Sequence, residues 1–174
     1  PPLPIRVPIL LYHKVGPTVY DADWVTPAAF ESHLKALKAY GYDTITLQEL
    51  MDGRAGLLTL PAKPVLITFD DGFENFVTDA YPILSDPAIN FRATNFIITG
   101  QVGQTNAWEC IPPIINYLTW SQLQTLQAAG LADFPSHTVS HPNLANYPPE
   151  ALPDQLVVSR QNLEAHLGTT VRFI

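Results

Sequence analysis

The sequence predicts an α/β fold, either an open doubly wound sheet or an incomplete (β/α) barrel, on three observations. Apolar strand-like runs alternate with amphipathic helical stretches, the pattern of parallel βα units. Reactive side chains follow several of those runs, at the strand ends where such folds bind ligands. The 174 residues suffice for a single domain, which spans 1–174 with no repeat or linker. They fall short of the ~250 residues of a complete eight-fold barrel.

Val7–His13 (VPILLYH) reads as a first buried strand. Thr26 and Pro27 then supply an N-cap and a first-turn proline. Phe30, Leu34, Leu37 and Tyr40 recur at helical spacing until Gly41 stops the helix. Asp43–Leu47 (DTITL) reads as a strand and Leu47–Met51 as a short helix. Val65–Phe69 (VLITF) is the strongest buried strand, followed by a helical stretch over 73–84. Ala93–Thr99 (ATNFIIT) is another strand. Thr119 caps a helix that runs to Ala129 and ends at Gly130. Leu131–Phe134 is a weak strand, Pro149–Leu167 a long helix, and Thr169–Ile174 (TTVRFI) begins a last strand.

Composition narrows the function. Hydrophobic residues make up 47% and charged residues 14%, the balance of a globular chain rather than a disordered one. No apolar run approaches the ~20 residues needed to cross a bilayer. A net charge of −7 with nine scattered Lys and Arg would repel a nucleic-acid backbone, so no nucleic-acid partner is expected. Cys110, the single cysteine, excludes an internal disulfide and a Cys-rich zinc site. The 17 prolines imply many loops and abrupt element ends. The chain opens Pro-Pro-Leu-Pro, and the expectation is that a signal peptide has been removed.

The end of the central strand poses the chemical question. In VLITFDDGF an apolar strand runs straight into Asp70 and Asp71, yet acids are rarely buried unless paired or bound to a metal. One of them capping the next helix is the simpler explanation. Only one cap is needed, however, and the two carboxylates repel each other. A cation beside one would remove the conflict, and Gly72 lets the backbone turn beneath it.

In Ser136–Asn143 (SHTVSHPN), His137 and His141 stand at i,i+4, which on a helical turn puts both rings on one face. Histidines of HExxH sites grip zinc at this spacing; many loop histidines share it and are satisfied by hydrogen bonds. Joined to one Asp, the two imidazoles make a 2-His-1-carboxylate set with positions open for water and substrate. The second Asp is then free to take a proton from an activated water. Such a set can hydrolyse an amide or an ester.

TFDDG at Thr68–Gly72 together with SHTVSH resembles the polysaccharide deacetylases, carbohydrate esterase family 4, with their NodB-type domain. The resemblance extends through LLYHKV at Leu10–Val15, FESHLKALKAYGYDTITLQEL, and LTWSQLQTL before the histidines. It implies a distorted or incomplete NodB-type (β/α) barrel lacking its C-terminal strands. It also implies that Asp70 is the general base and that Asp71, His137 and His141 bind one divalent metal, Zn2+ being the usual ion. The reaction implied is removal of N-acetyl groups from GlcNAc-containing polymers: poly-N-acetylglucosamine, chitin or peptidoglycan.

A general acid must also protonate the leaving amine, and the family's late histidine has no counterpart in this chain. LLYHKV is similar to the N-terminal YH segment of the exopolysaccharide (poly-N-acetylglucosamine) deacetylase branch, which makes His13 the candidate acid. Two departures stand out. Pro135 occupies the place of the Gly that usually precedes the SH of the histidine motif. The aromatic-x-Pro-Tyr-Gly motif expected directly after VRFI is not reached.

Trp108 and Tyr117 are candidates for stacking on sugar rings, whereas Trp120, His33, His166 and Cys110 read as structural or solvated. The leading expectation is an extracytoplasmic metal-dependent N-deacetylase acting on an acetylated polysaccharide. An acetylxylan-type O-acetyl esterase, or a non-catalytic metal-stabilised carbohydrate-binding fragment, are the alternatives. The oligomeric state is not legible from sequence.

Overall fold

The computed structural model describes residues 6–110 and 112–174. Its strands in chain order are β1 (Ile9–Tyr12), β2 (Lys14–Val15), β3 (Trp24–Val25), β4 (Asp43–Thr44), β5 (Pro64–Phe69), β6 (Ala93–Asn95) and β7 (Ala132–Asp133). The helices are α1 (Pro27–Ala39), α2 (Leu47–Arg54), α3 (Tyr81–Leu84), α4 (Trp120–Ala129) and α5 (Leu152–Leu167). One parallel sheet runs β1-β5-β6-β7, with β4 also pairing with β5; β2 and β3 form a separate two-residue parallel ladder.

β5 is buried along its whole length, which is why its sequence is apolar without alternation. Ile67 and Phe69 join the main core with Phe30 and Leu34 of α1, Leu123 and Leu126 of α4, and Leu163 of α5. Phe69 meets Phe30 and Phe76 edge-on, at centroid distances of 5.6 and 4.9 Å. Thr68, Thr94 and Asp133 form one row across β5, β6 and β7, and the Thr94 hydroxyl donates to Asp133 at 2.9 Å.

Helix ends follow the expected chemistry. Thr26 and Thr119 accept from backbone N–H groups at the starts of α1 and α4. Gly41 and Gly130 follow those helices with φ of +77° and +80°, a region glycine enters without steric cost.

Several element limits differ from expectation. β1 is an edge strand rather than a buried one: among the described residues only β5 pairs with it, and Ile9 and Leu11 are 57% and 56% exposed. The 43–47 strand closes after two residues because Thr46 turns to cap α2, forming a capping box with Glu49. The 73–84 helix becomes a π turn over Phe76–Ala80 followed by α3; Pro82 lacks the N–H an α-helix would use there. Beyond β6 the predicted strand survives only as a bridge between Ile97 and Ser136. The 149–167 helix starts as a 3-10 turn over Pro149–Ala151. Thr169–Ile174 forms no ladder with the other described residues; the Phe173 carbonyl accepts a bond from Ser136 N–H at 3.1 Å.

Candidate active site

All four acid and histidine candidates, and His13 with them, meet at the carboxyl end of the sheet. Asp70 and Asp71 leave β5 directly, and Asp70 N–H donates to the Tyr12 carbonyl at 3.0 Å. His13 therefore enters from the neighbouring strand end. Asp71 takes φ of +75°, a conformation costly for a residue with a Cβ but tolerated by Asp more than most. That turn aims its carboxylate at the histidines. His137 Nε2 stands 3.5 Å and His141 Nε2 3.8 Å from Asp71 Oδ1, and the two rings are 4.8 Å apart. One ligand atom from each of Asp71, His137 and His141 lies within 4.8 Å of the others.

The histidines do not sit on a helical turn. They flank a loop in which Thr138 and His141 both adopt positive φ, +68° and +56°. For a β-branched residue such as Thr138 this is strained, and it persists only where the surroundings over-determine it. They do so here. Thr138 N–H donates to Ser136 Oγ, its hydroxyl accepts from His141 N–H, and its carbonyl accepts from Ser159 Oγ. Gln155 Oε1 accepts from Val139 N–H, Ser140 N–H and Ser140 Oγ. Gly100 N–H meets the Val139 carbonyl at 2.8 Å.

The electrostatics suit a cation. Burial pushes the Asp71 carboxyl above its ordinary range, against the pull of His141, His137 and His13. Burial pushes His137 down, against the pull of Asp71, so its neutral, ligating form is favoured. Asp71 Oδ1 is buried without a hydrogen-bond partner, a cost of about 1–3 kcal/mol for an ordinary polar group and more for a charged one. A divalent ion held by Asp71, His137 and His141 would relieve it. Burial also raises the Asp70 carboxyl, opposed by His13 and then His141, which makes it a stronger base than a solvated aspartate. His13 is half-buried.

Of the two aromatic candidates, Trp108 is 44% exposed and Tyr117 only 2%. Tyr117 does not offer a free face to a sugar: it stacks on Phe73 at 4.6 Å. Its hydroxyl accepts from Trp108 Nε1 at 3.2 Å and donates to Glu109 at 3.1 Å. Tyr117 thus anchors Trp108, the expected stacking residue, instead of stacking itself.

The sequence profile of the family described as polysaccharide deacetylase matches residues 58–174. The chain belongs to that family. A relative of the deacetylase family, YxkH of Bacillus subtilis (strain 168), is 30% identical over 97% of this chain and 56% of its own length. Poly-beta-1,6-N-acetyl-D-glucosamine N-deacetylase of Staphylococcus aureus (strain MRSA252) is 35% identical over 70% of this chain and 39% of its own. Among solved structures, the Streptococcus pyogenes deacetylase PplD in complex with acetate superposes with a TM-score of 0.82 at 28% identity, covering 97% of this chain and 72% of that one. The chain spans about half the length of the curated relatives it matches.

Sequence reasoning missed the scaffold beneath the histidines. Gln155, Ser159 and Leu163 are the buried residues of α5, spaced four apart. Two polar residues in the buried stripe of a helix were the available signal, since buried polar groups must have partners.

Proposed function

We propose that the chain carries the hydrolytic centre of a metal-dependent polysaccharide N-deacetylase acting on N-acetylglucosamine polymers of the poly-β-1,6 type. The observation that carries this reading is the juxtaposition of two unequal acids at one strand end. Asp71 is turned into the histidine pair with an unpartnered buried oxygen. Asp70 stays beside it, partly exposed and raised in pKa by burial. A structural metal site needs no spare base. The name of the S. aureus relative supports the polymer, and the acetate bound by PplD supports the acyl group.

A divalent cation, Zn2+ by its preference for imidazole and carboxylate ligands, would polarise the acetyl carbonyl and acidify a water molecule. Asp71, His137 and His141 would hold it. Asp70 takes the proton from the attacking water. His13, across the site on the end of β1, protonates the departing amine nitrogen, without which the C–N bond does not break productively. Trp108 offers an indole face to a neighbouring sugar ring. Because the substrate is a polymer outside the cytoplasm, an extracytoplasmic location follows from this reading.

The test is acetate release from β-1,6-linked GlcNAc oligomers, chitooligosaccharides and acetylxylan, each with and without a chelator. Chelator-sensitive release from the β-1,6 oligomers is expected. Release from acetylxylan alone would shift the reading to an O-acetyl esterase. Turnover insensitive to metal removal would refute the proposed chemistry.

A further inference from the structure

Both neighbours of His13 grip the segment that carries the acids. On one side the Tyr12 carbonyl accepts from Asp70 N–H, and Tyr12 lies opposite Phe69 in the β1–β5 ladder. On the other side stands Lys14, only 7% exposed, although lysine is among the residues least often buried without a partner. The ion pairs among the described residues do not include it. Its Nζ instead lies 4.6 Å from the ring centroid of Phe73 and 6.0 Å from that of Trp24.

Both rings are fixed. Phe73 is stacked on Tyr117. Trp24 is opposite Lys14 in the β2–β3 ladder, where Lys14 N–H donates to the Asp23 carbonyl and Gly16 N–H to the Val25 carbonyl, each at 3.0 Å. Gly16 leaves room for the indole, since a Cβ there would come within 2.7 Å of a Trp24 ring carbon. Aromatic faces anchor an ammonium without a carboxylate. That matters beside Asp70 and Asp71, where a third acid would compete for the cation and raise both carboxyl pKa values further.

We propose that Lys14 is a positioning residue: its seat on Phe73 and Trp24 locks the β1–β2 junction so that His13 is held at the strand end bonded to Asp70 through the Tyr12 carbonyl. The inference rests on the reading of His13 as the proton donor, and its test separates the two. Lys14→Met keeps the length and removes the charge, Lys14→Arg keeps the charge, and His13→Ala removes the group being positioned. If the cation–π seat holds the competent arrangement, Lys14→Met lowers kcat about tenfold with KM changed by less than about twofold. Lys14→Arg then restores most of kcat. In the His13→Ala background, Lys14→Met adds less than about a twofold loss, because the two act as one unit.

Wild-type kcat in Lys14→Met, or an undiminished loss in the His13→Ala background, overturns the role of Lys14 and leaves the deacetylase reading intact. Wild-type kcat in His13→Ala removes the proton-donor role and this inference with it. A structural readout stands apart from turnover: NOEs between the Tyr12–His13 and Asp70–Asp71 segments, which the Tyr12 carbonyl joins, should weaken in Lys14→Met and return in Lys14→Arg. Their persistence at wild-type intensity in Lys14→Met also overturns the proposal.

Discussion

Gly100 supports the histidine loop from below, and filling it tests whether that loop sets the metal site. A Cβ at Gly100 would lie 2.5 Å from the Val139 carbonyl oxygen and 3.3 Å from Val139 Cγ1. Ordinary contact begins at 3.4 Å, so the Val139 backbone must retreat by about 0.9 Å, far more than the ~0.2 Å tolerance of metal–ligand distances. Retreat also strains the bond between Val139 N–H and Gln155 and shifts the chain two residues before His141. Gly100→Ala is therefore expected to weaken Zn2+ or Co2+ binding about 10- to 100-fold, the usual range for disturbed outer-shell support. The overpacking should cost about 1–3 kcal/mol of stability. Calorimetric metal titration and chemical unfolding measure the two effects. Leu34→Ala, a cavity in the helix-side core, is the control: it should cost about 2–5 kcal/mol of stability with metal affinity unchanged. Folded Gly100→Ala protein binding metal within twofold of wild type would refute the coupling.

Gln155→Leu orphans the N–H groups of Val139 and Ser140; about 1–3 kcal/mol per group should appear in urea unfolding, together with weaker metal binding. Trp108→Ala should raise KM for oligosaccharides severalfold with kcat nearly unchanged, since on the proposed reading the indole would contact a bound sugar rather than the reacting atoms. Burial raises the Asp133 carboxyl above its ordinary value, offset in part by the hydrogen bond from Thr94. The folded state therefore holds that proton more tightly than the unfolded state. Stability should fall as pH rises from the unfolded pKa, near 3.8, through the higher folded one, and then level off. Asp133→Asn should lack this decline, so its stability relative to wild type should grow over that window in pH-dependent thermal unfolding.

The parts of this molecule legible in sequence are those governed by local chemistry. Thr26, Thr119, Gly41 and Gly130 marked helix limits because capping depends on a few adjacent residues. The β5 run ending in Asp70 and Asp71 located the site because a core strand delivering two acids has few explanations. Features set by distant partners were not legible. β4, β6 and β7 are short because pairing ends where neighbouring chain turns away, and Ile9 and Leu11 are exposed because β1 has one partner among the described residues. The 137–141 spacing suggested a helical turn, yet Thr138 is held at positive φ by Ser136 and Ser159, with Gln155 fixing the next two residues, against its own preference. Tyr117 looked like a sugar platform and is buried on Phe73, a contact made by chain more than 40 residues away.

The central claim is the division of labour between Asp70 and Asp71, and metal stoichiometry measured beside kcat tests it most directly. Asp70→Asn should retain one divalent ion per chain while kcat for acetate release falls about 10²- to 10⁴-fold, the loss of a general base. Asp71→Asn should lose the ion itself. An Asp70→Asn protein that loses its metal, or an Asp71→Asn protein that keeps metal and activity, would contradict the account.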